Sequence, residues 1–295
     1  MKLEHQAWMV IPLCPLACAG LVALVAPGGA TFAGWPVYGL CVTLAFLVQW
    51  VMFVDSWVRQ TEHLFDLTGS VTYVSVALAA LVLTGAFDAR SLLITAAVVI
   101  WASRLGSFLF NRVRQAGHDS RFLTILPSFP VLLMTWTLQG TWVSLTASCV
   151  LVAVSSATAL PLDLWAVAGI TLWCAGFAVE VVADRQKHAF RADPDNRDRF
   201  ITSGLWSWSR HPNYFGEITL WIGLAIASVP VLTGWQHAAL ASPLFVVFLL
   251  TRISGVRMLE KQAEKRWGRE PDYVAYRDST SPLIPLPPTR KFAAA

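Results

Sequence analysis

The chain has 295 residues, 56% hydrophobic and 14% charged, with a formal net charge of +4 and a mean hydropathy of +0.56. Soluble domains carry roughly a quarter of their residues as Asp, Glu, Lys and Arg, and a soluble sphere has no means of hiding this much apolar surface. The composition excludes a soluble domain and, because the charge is small and scattered, a nucleic-acid reader; it implies an all-α, polytopic membrane helix bundle.

In chain order, predominantly apolar segments run over residues 8–26, 37–54, 71–86, 92–111, 129–154, 164–183, 215–232 and 237–256. A helix of about 20 apolar residues covers the hydrocarbon core. The first segment reads as a retained span and not a leader, because Glu4 sits in the would-be basic region and Pro12 and Pro15 interrupt the apolar run. The last two segments are shorter and meet near Pro230–Gly234, so they read as two crossings or as a re-entrant pair. The 14 Trp suit membrane–water interfaces. Cys14, Cys18, Cys41, Cys149 and Cys174 lie in apolar stretches, an odd set whose spacing suits neither a disulfide framework nor a metal.

Loop charge sets the topology. Of 22 Lys and Arg, 19 fall at the N-terminus (Lys2) or after the second, fourth, sixth and eighth spans, the last group ending at Lys291. Arg104 and Arg252 lie within spans, and Arg90 alone occupies an odd-numbered loop. The positive-inside rule then places both termini and every even loop in the cytoplasm, with eight crossings. Seven crossings would leave only Lys2 on the wrong side.

A charge at the bilayer centre costs roughly 2.5–3.5 kcal/mol on insertion scales, so ionisable residues inside spans are candidates for function. Glu180 and Asp184 are four apart and share one face of the sixth helix, prolonged by Lys187, His188 and Arg191. Asn213 and Glu217 repeat that spacing at the start of the seventh, and Arg252, Val256 and Glu260 line a face at the end of the eighth. Ion pairs that hold helices in register, such as Glu217 with Arg252, are the structural alternative. Several such faces converging on one cytoplasmic cavity favour a site.

The string from Arg210 to Glu217 (RHPNYFGE) is the strongest local signal. Pro212 suits the first helical turn, where its missing N–H costs nothing, and the helix N-terminus offers free N–H groups to an anion. Arg191, Arg197, Arg199 and Arg210 surround it, a set suited to bidentate phosphate binding. Anchoring to lipid headgroups explains loop arginines in general, but not an Asn, a Tyr and a Glu at fixed offsets. The sequence holds no glycine-rich dinucleotide fingerprint after a strand and no Walker loop, and its six His are too dispersed to suggest a metal cluster.

The tract from Glu180 onward resembles the C-terminal domain of the membrane steroid 5-alpha-reductase family, particularly its bacterial branch. The matching elements are Glu180-x-x-x-Asp184, Gly204-Leu205-Trp206, the string from Ser209 to Glu217, Arg252, Trp267-Gly268, Tyr273, Tyr276 and Leu283-Ile284-Pro285. Upstream, Arg104-Leu105-Gly106, Asn111 to Arg114 and Asp66 to Ser70 continue the likeness. The resemblance implies a single membrane domain, with residues 1–90 on the substrate side and 91–295 forming an NADPH site in the cytoplasmic loops, in a bacterial inner membrane. It further implies hydride transfer to a carbon–carbon double bond conjugated to a ketone, in a steroid or similar lipophilic molecule that enters from the bilayer. No metal, nucleic acid or obligate protein partner is implied; membrane lipids are.

Carried over position by position, Asn213, Glu217, Asp184, Arg191, Arg199 and Arg252 would hold the dinucleotide, with His188, Arg210, His211, Tyr214, Arg114 and Glu260 beside them. Charge developing on the carbonyl oxygen needs a donor, which the family draws from an acid–tyrosine pair in its early spans. Tyr73 with Glu62, or with Asp66 as the alternative acid, fills that role here. Glu260 departs from relatives that carry an aromatic residue nearby. The string from Arg210 to Gly216 also resembles the isoprenylcysteine and phospholipid methyltransferases, which use S-adenosylmethionine. That cofactor carries no phosphate and needs fewer arginines, so NADPH is the expected cofactor. A transporter is a third reading, opposed by the absence of an inverted repeat.

Overall fold

A computed structural model describes residues 3–287; Lys2, Pro288, Arg290 and Lys291 lie outside the described residues. The fold is a polytopic bundle of helices. Among the described residues, seven helices are long and apolar enough to cross a membrane, or eight if a bent pair counts as one span. The chain forms two compact units, Met1–Val167 with Ala225–Ser242, and Ala168–Leu224 with Pro243–Ala295.

The first unit contains α1 (Leu3–Val25), a two-residue hairpin of β1 (Thr31–Phe32) and β2 (Trp35–Pro36), α2 (Val37–Arg59), α3 (Phe65–Thr84) and α4 (Ala89–Ala116). A short 3-10 turn at Ser120–Thr124 leads to α5 (Phe129–Thr146) and α6 (Ser148–Val154). Several of these helices are longer than their apolar cores, because polar turns such as Trp57–Arg59 and Asn111–Arg114 continue the backbone ladder beyond the hydrocarbon-length stretch. The apolar segment 129–154 forms α5 and α6, bent by 55° where they meet. The helices α3 and α4 end on Gly85 and Gly117 in the left-handed conformation, φ 66° and 80°, which glycine adopts without a Cβ clash.

Within this unit α2 packs on α3 and α5, and α3 on α4. Phe53, Phe65, Phe122, Leu132 and Trp136 form its aromatic-rich core. Arg90, the single odd-loop cation, is 1% exposed and pairs with Asp163 at 2.8 Å. Its guanidinium also donates to the carbonyls of Ala227 (2.8 Å) and Pro161 (2.9 Å). Hydrogen bonds from the Ala166 backbone N–H and then from Arg90 hold the Asp163 carboxyl below the usual aspartate range. Cys14, Cys18, Cys41 and Cys149 are buried, whereas Cys174 is exposed on α7.

The second unit holds most of α7 (Leu164–Ala192) and α8 (Pro212–Ser228), then α9 (Ser242–Phe248), α10 (Val256–Trp267) and α11 (Pro271–Ser279). The helices α7 and α8 meet backbone to backbone. A Cβ on Gly176 would stand 2.6 Å from the Gly216 carbonyl oxygen, and a Cβ on Gly216 would stand 2.6 Å from the Glu180 amide nitrogen. Small residues permit such approach in membrane helices, where van der Waals contact drives association. Between α9 and α10 the ladder widens into a π turn at Leu249–Ile253 and is reset at Gly255, where a Cβ would collide with the Leu250 carbonyl. Arg252 therefore lies in the π turn and Glu260 on the next helix. The single helical face expected for 252, 256 and 260 does not form. Each of the last two segments is nevertheless long enough to cross, at Pro212–Val231 and Gly234–Trp267.

Candidate functional site

The polar ends of α7 and α10, the segment 199–211 and α11 enclose a cavity of about 220 Å³ in the second unit. Its walls carry five cations, Lys187, Arg191, Arg199, Arg210 and Arg266, and a set of aromatic rings from Phe190, Phe200, Trp206, Trp267, Tyr273 and Tyr276. His211 and Glu260 complete the polar lining.

Hydrogen bonds between distant stretches of sequence build the walls. Arg210 N–H donates to the Ser281 carbonyl (2.9 Å), Ser209 Oγ to the Leu283 carbonyl (2.8 Å) and Leu286 N–H to the Trp208 carbonyl (3.0 Å). The tail is thus strapped along the segment that precedes α8. Trp206 is fixed from both sides: its indole N–H donates to the Ala183 carbonyl (3.0 Å), and its own carbonyl accepts from Tyr276 OH (2.7 Å). The Lys187 ammonium lies 4.4 Å from the centre of the Trp206 ring, within cation–π range. Phe200 packs against Trp267, Tyr273 and Tyr276 with ring centres 5.2–5.7 Å apart. Burial pushes the Tyr276 phenol well above the usual tyrosine range, so it stays neutral.

Glu260 is the charge hub. It accepts from His211 Nε2 at 2.8 Å and from Arg210 at 3.1 Å. Burial lowers the affinity of His211 for a proton, and the hydrogen bond to Glu260 only partly offsets that. The ring is thereby held neutral, with Nε2–H donating and Nδ1 left as a lone pair. His211 Nδ1 and Arg210 Nε are buried without a hydrogen-bond partner. Tyr214 stacks on His211 at 5.6 Å with the rings 8° apart.

Asn213 and Asp184, on different helices, are joined by a 3.2 Å hydrogen bond from the Asn213 amide. Asp184 and Glu180 are both buried on α7, and Glu217 follows one turn after Asn213 on α8. Of the residues expected at a dinucleotide site, Arg191, Arg199, Arg210, His211 and Glu260 line the cavity, while Asp184, Asn213, Tyr214 and Glu217 gather at the α7–α8 crossing. His188 is exposed on α7 and Arg252 is exposed in the π turn; neither lines the cavity. Arg114 is exposed on α4 of the first unit. Sequence reasoning left Lys187, Arg266 and the aromatic walls out of the expected contact set. Trp206, Trp267, Tyr273 and Tyr276 stood in the resemblance, but their ring-on-ring arrangement is a tertiary property.

The residues expected to donate a proton lie in the first unit. Glu62 is buried, and its carboxylate accepts from the Asp119 backbone N–H at 2.7 Å. Asp66 faces Arg112 at 3.4 Å and Arg121 at 3.5 Å. Tyr73 packs edge-on against Trp101 with ring centres 5.1 Å apart. A second polar group sits deeper: Gln49, fully buried, donates to Thr72 Oγ1 at 2.8 Å, and Gln139 packs over Gly69. Isolated glutamines in apolar runs gave no sequence signal.

A stretch of 95 residues is 30% identical to a protein named "Probable O-methyltransferase ustE" from Ustilaginoidea virens, covering 29% of this chain and 33% of that relative. The chain thus matches about a third of that relative's length. The model of the family described as "Protein of unknown function (DUF1295)" matches residues 52–280, a range that spans α3 to α11 and the whole cavity. On that match the chain belongs to the DUF1295 family.

Proposed function

We propose that the chain is a membrane reductase that takes NADPH and reduces the conjugated double bond of a lipophilic enone of the 3-keto-4-ene steroid type. The observation that carries this reading is the pairing of five cations with stacked aromatic walls in one cavity. Guanidinium groups suit phosphate, aromatic faces suit a planar base, and buried Arg210 Nε and His211 Nδ1 lack partners. Pockets for whole drug-sized ligands run to about 300–1,000 Å³, so about 220 Å³ fits one end of a dinucleotide.

When bound, NADPH supplies a hydride. Arg191, Arg199 and Arg266 would hold its phosphates, Trp206 and the Phe200 cluster would take its base, and Asp184 orients the Asn213 amide. Residues 1–90 are the proposed substrate side, where Tyr73 with Glu62, or with Asp66 as the alternative acid, would stabilise charge at the substrate's carbonyl oxygen. The lipophilic substrate enters from the bilayer, and the cavity and both termini face the cytoplasm of a bacterial inner membrane.

Methyl transfer from S-adenosylmethionine is the second reading, favoured by the methyltransferase-named relative. An adenosine would also stack in the aromatic wall, but that cofactor has no phosphate for Arg191 and Arg199. The test is to titrate NADPH, NADH and S-adenosylmethionine into the detergent-purified chain. Tight NADPH binding, weakened by Arg191→Ala or Asn213→Ala and followed by NADPH consumption with a 3-keto-4-ene steroid, supports the reductase. Binding of S-adenosylmethionine alone overturns it.

A further inference from the structure

The outward face of the last span changes character along its length. In the stretch Gly234–Trp267, long and apolar enough to cross a membrane, Leu244, Phe248 and Ile253 stand exposed at 71%, 52% and 50%. Beyond the π turn the exposed positions become cations: Arg257, Lys261 and Lys265 on α10, and Arg269 just past its end. They are spaced by four, a step that drifts only about 40° around a helix, so they form one slanted stripe. The cavity lies on the other side of the same helix, where Leu259, Gln262, Ala263 and Arg266 line it.

No acid compensates the stripe. The two acids of α10 are engaged elsewhere, Glu260 with Arg210 and His211 in the cavity and Glu264 with Arg277 at 2.8 Å. Among the described residues, Arg257, Lys261, Lys265 and Arg269 form no ion pair. A helix face built only for solvation ordinarily intersperses both signs. Here one sign follows directly on an apolar face suited to lipid tails. Long Lys and Arg stems run along apolar surface and carry their charge to headgroup level. The partner that offers hydrocarbon to Leu244 and Phe248 and negative charge to Arg257 and Lys261 is an anionic phospholipid.

We infer that the outward face of α10 is a docking surface for anionic phospholipids of the leaflet at which this span ends. The bound lipid steadies the cavity wall carried on the helix's other face.

The experiment is native mass spectrometry of the full chain in detergent, comparing retention of phosphatidylglycerol and of phosphatidylcholine with the same acyl chains. One cation near an anionic surface is worth about fivefold in binding, so wild type should prefer phosphatidylglycerol by at least that factor. Lys261→Gln should lose up to about fivefold of the preference. The variant carrying Arg257→Gln, Lys261→Gln, Lys265→Gln and Arg269→Gln should hold both lipids equally. Lys261→Arg with Lys265→Arg keeps the charge and should keep the preference. Equal retention of the two lipids by wild type overturns the surface. So does an undiminished preference in the fourfold Gln variant, or its loss in the Arg variant. Displacement of the lipid by inorganic phosphate also overturns it, by showing a phosphate site in place of a lipid surface. For the cavity wall, hydrogen exchange of a peptide covering α10 is read in nanodiscs of phosphatidylcholine with and without phosphatidylglycerol. The anionic lipid should slow exchange several-fold in wild type and not in the fourfold variant. Equal wild-type exchange in the two nanodiscs overturns the steadying of the wall, while lipid retention still decides the surface. NADPH enters neither measurement, so both stand apart from the reductase reading.

Discussion

The Asn213 amide donates to the Asp184 carboxylate at 3.2 Å, joining the first turn of α8 to the polar end of α7. The amide uses one N–H on a buried anion, which fixes which way its carbonyl points. A side chain fixed in this way recognises an amide or hydroxyl group by its donor–acceptor order and not by charge.

Removing either partner should therefore be costly for ligand binding. A hydrogen bond to a charged group is worth about 1.5–3 kcal/mol, so on the proposed reductase reading Asn213→Ala and Asp184→Asn should each weaken NADPH binding about tenfold to a hundredfold. Titration of the purified variants in detergent measures this. Unchanged affinity in both would remove the pair from the site.

The α7–α8 crossing should be intolerant of a single methyl group. Gly216→Ala brings a Cβ to 2.6 Å from both the Glu180 amide nitrogen and the Gly176 carbonyl oxygen, where backbone and not a side-chain end must yield. Overpacking of this kind costs about 1–3 kcal/mol, visible as a lower midpoint of thermal unfolding in detergent. Gly20→Ala is the matched control, because nothing lies within 4 Å of the added atom; its midpoint should hold or rise.

The pH dependence of stability should carry a signature of His211. Its folded-state proton affinity is lowered, first by burial and against the pull of Glu260. A depressed value means that the unfolded chain binds the proton more readily. The stability contributed by neutral His211 is thus complete above the ordinary histidine value of about 6.5 and is lost as pH falls below it. His211→Gln should flatten the thermal midpoint between neutral and mildly acidic pH. An identical pH profile in variant and wild type would count against the assignment.

Arg90 should matter more than its partner. Replacing it with Ala leaves the Ala227 and Pro161 carbonyls without their donor. Ala227 is fully buried, and an orphaned buried group costs about 1–3 kcal/mol, so Arg90→Ala should unfold at a distinctly lower temperature. Asp163→Asn should have a smaller effect, because that side chain is 37% exposed and water replaces its partner. Equal losses would show that the ion pair, and not the carbonyl contacts, carries the stability.

Much of this protein is local, and the local part is legible in one dimension. Apolar run length gives the spans because the bilayer thickness is fixed, and spacing of four places Glu180 with Asp184 and Asn213 with Glu217 on shared helix faces. Arg191, Arg199, Arg210, His211 and Glu260 were identifiable as a basic cluster with a nearby acid, and they do line one cavity. Arg252 and Glu260 show the limit: their eight-residue spacing reads as one face only if the helix is straight, and the π turn before Gly255 breaks it.

The sequence by itself determined the class of molecule, the helices and the chemical character of each face, because hydrophobic length and helical period depend on neighbours in the chain. Tertiary structure alone decided which faces meet. Gly176 and Gly216 let two backbones touch, which sets Asn213 against Asp184. The strap of Ser281 and Leu283 along Ser209 and Arg210 places α11 as a wall of the cavity. Such contacts join residues more than 25 positions apart, and they depend on close approach of backbone atoms, which no periodicity along a single helix records.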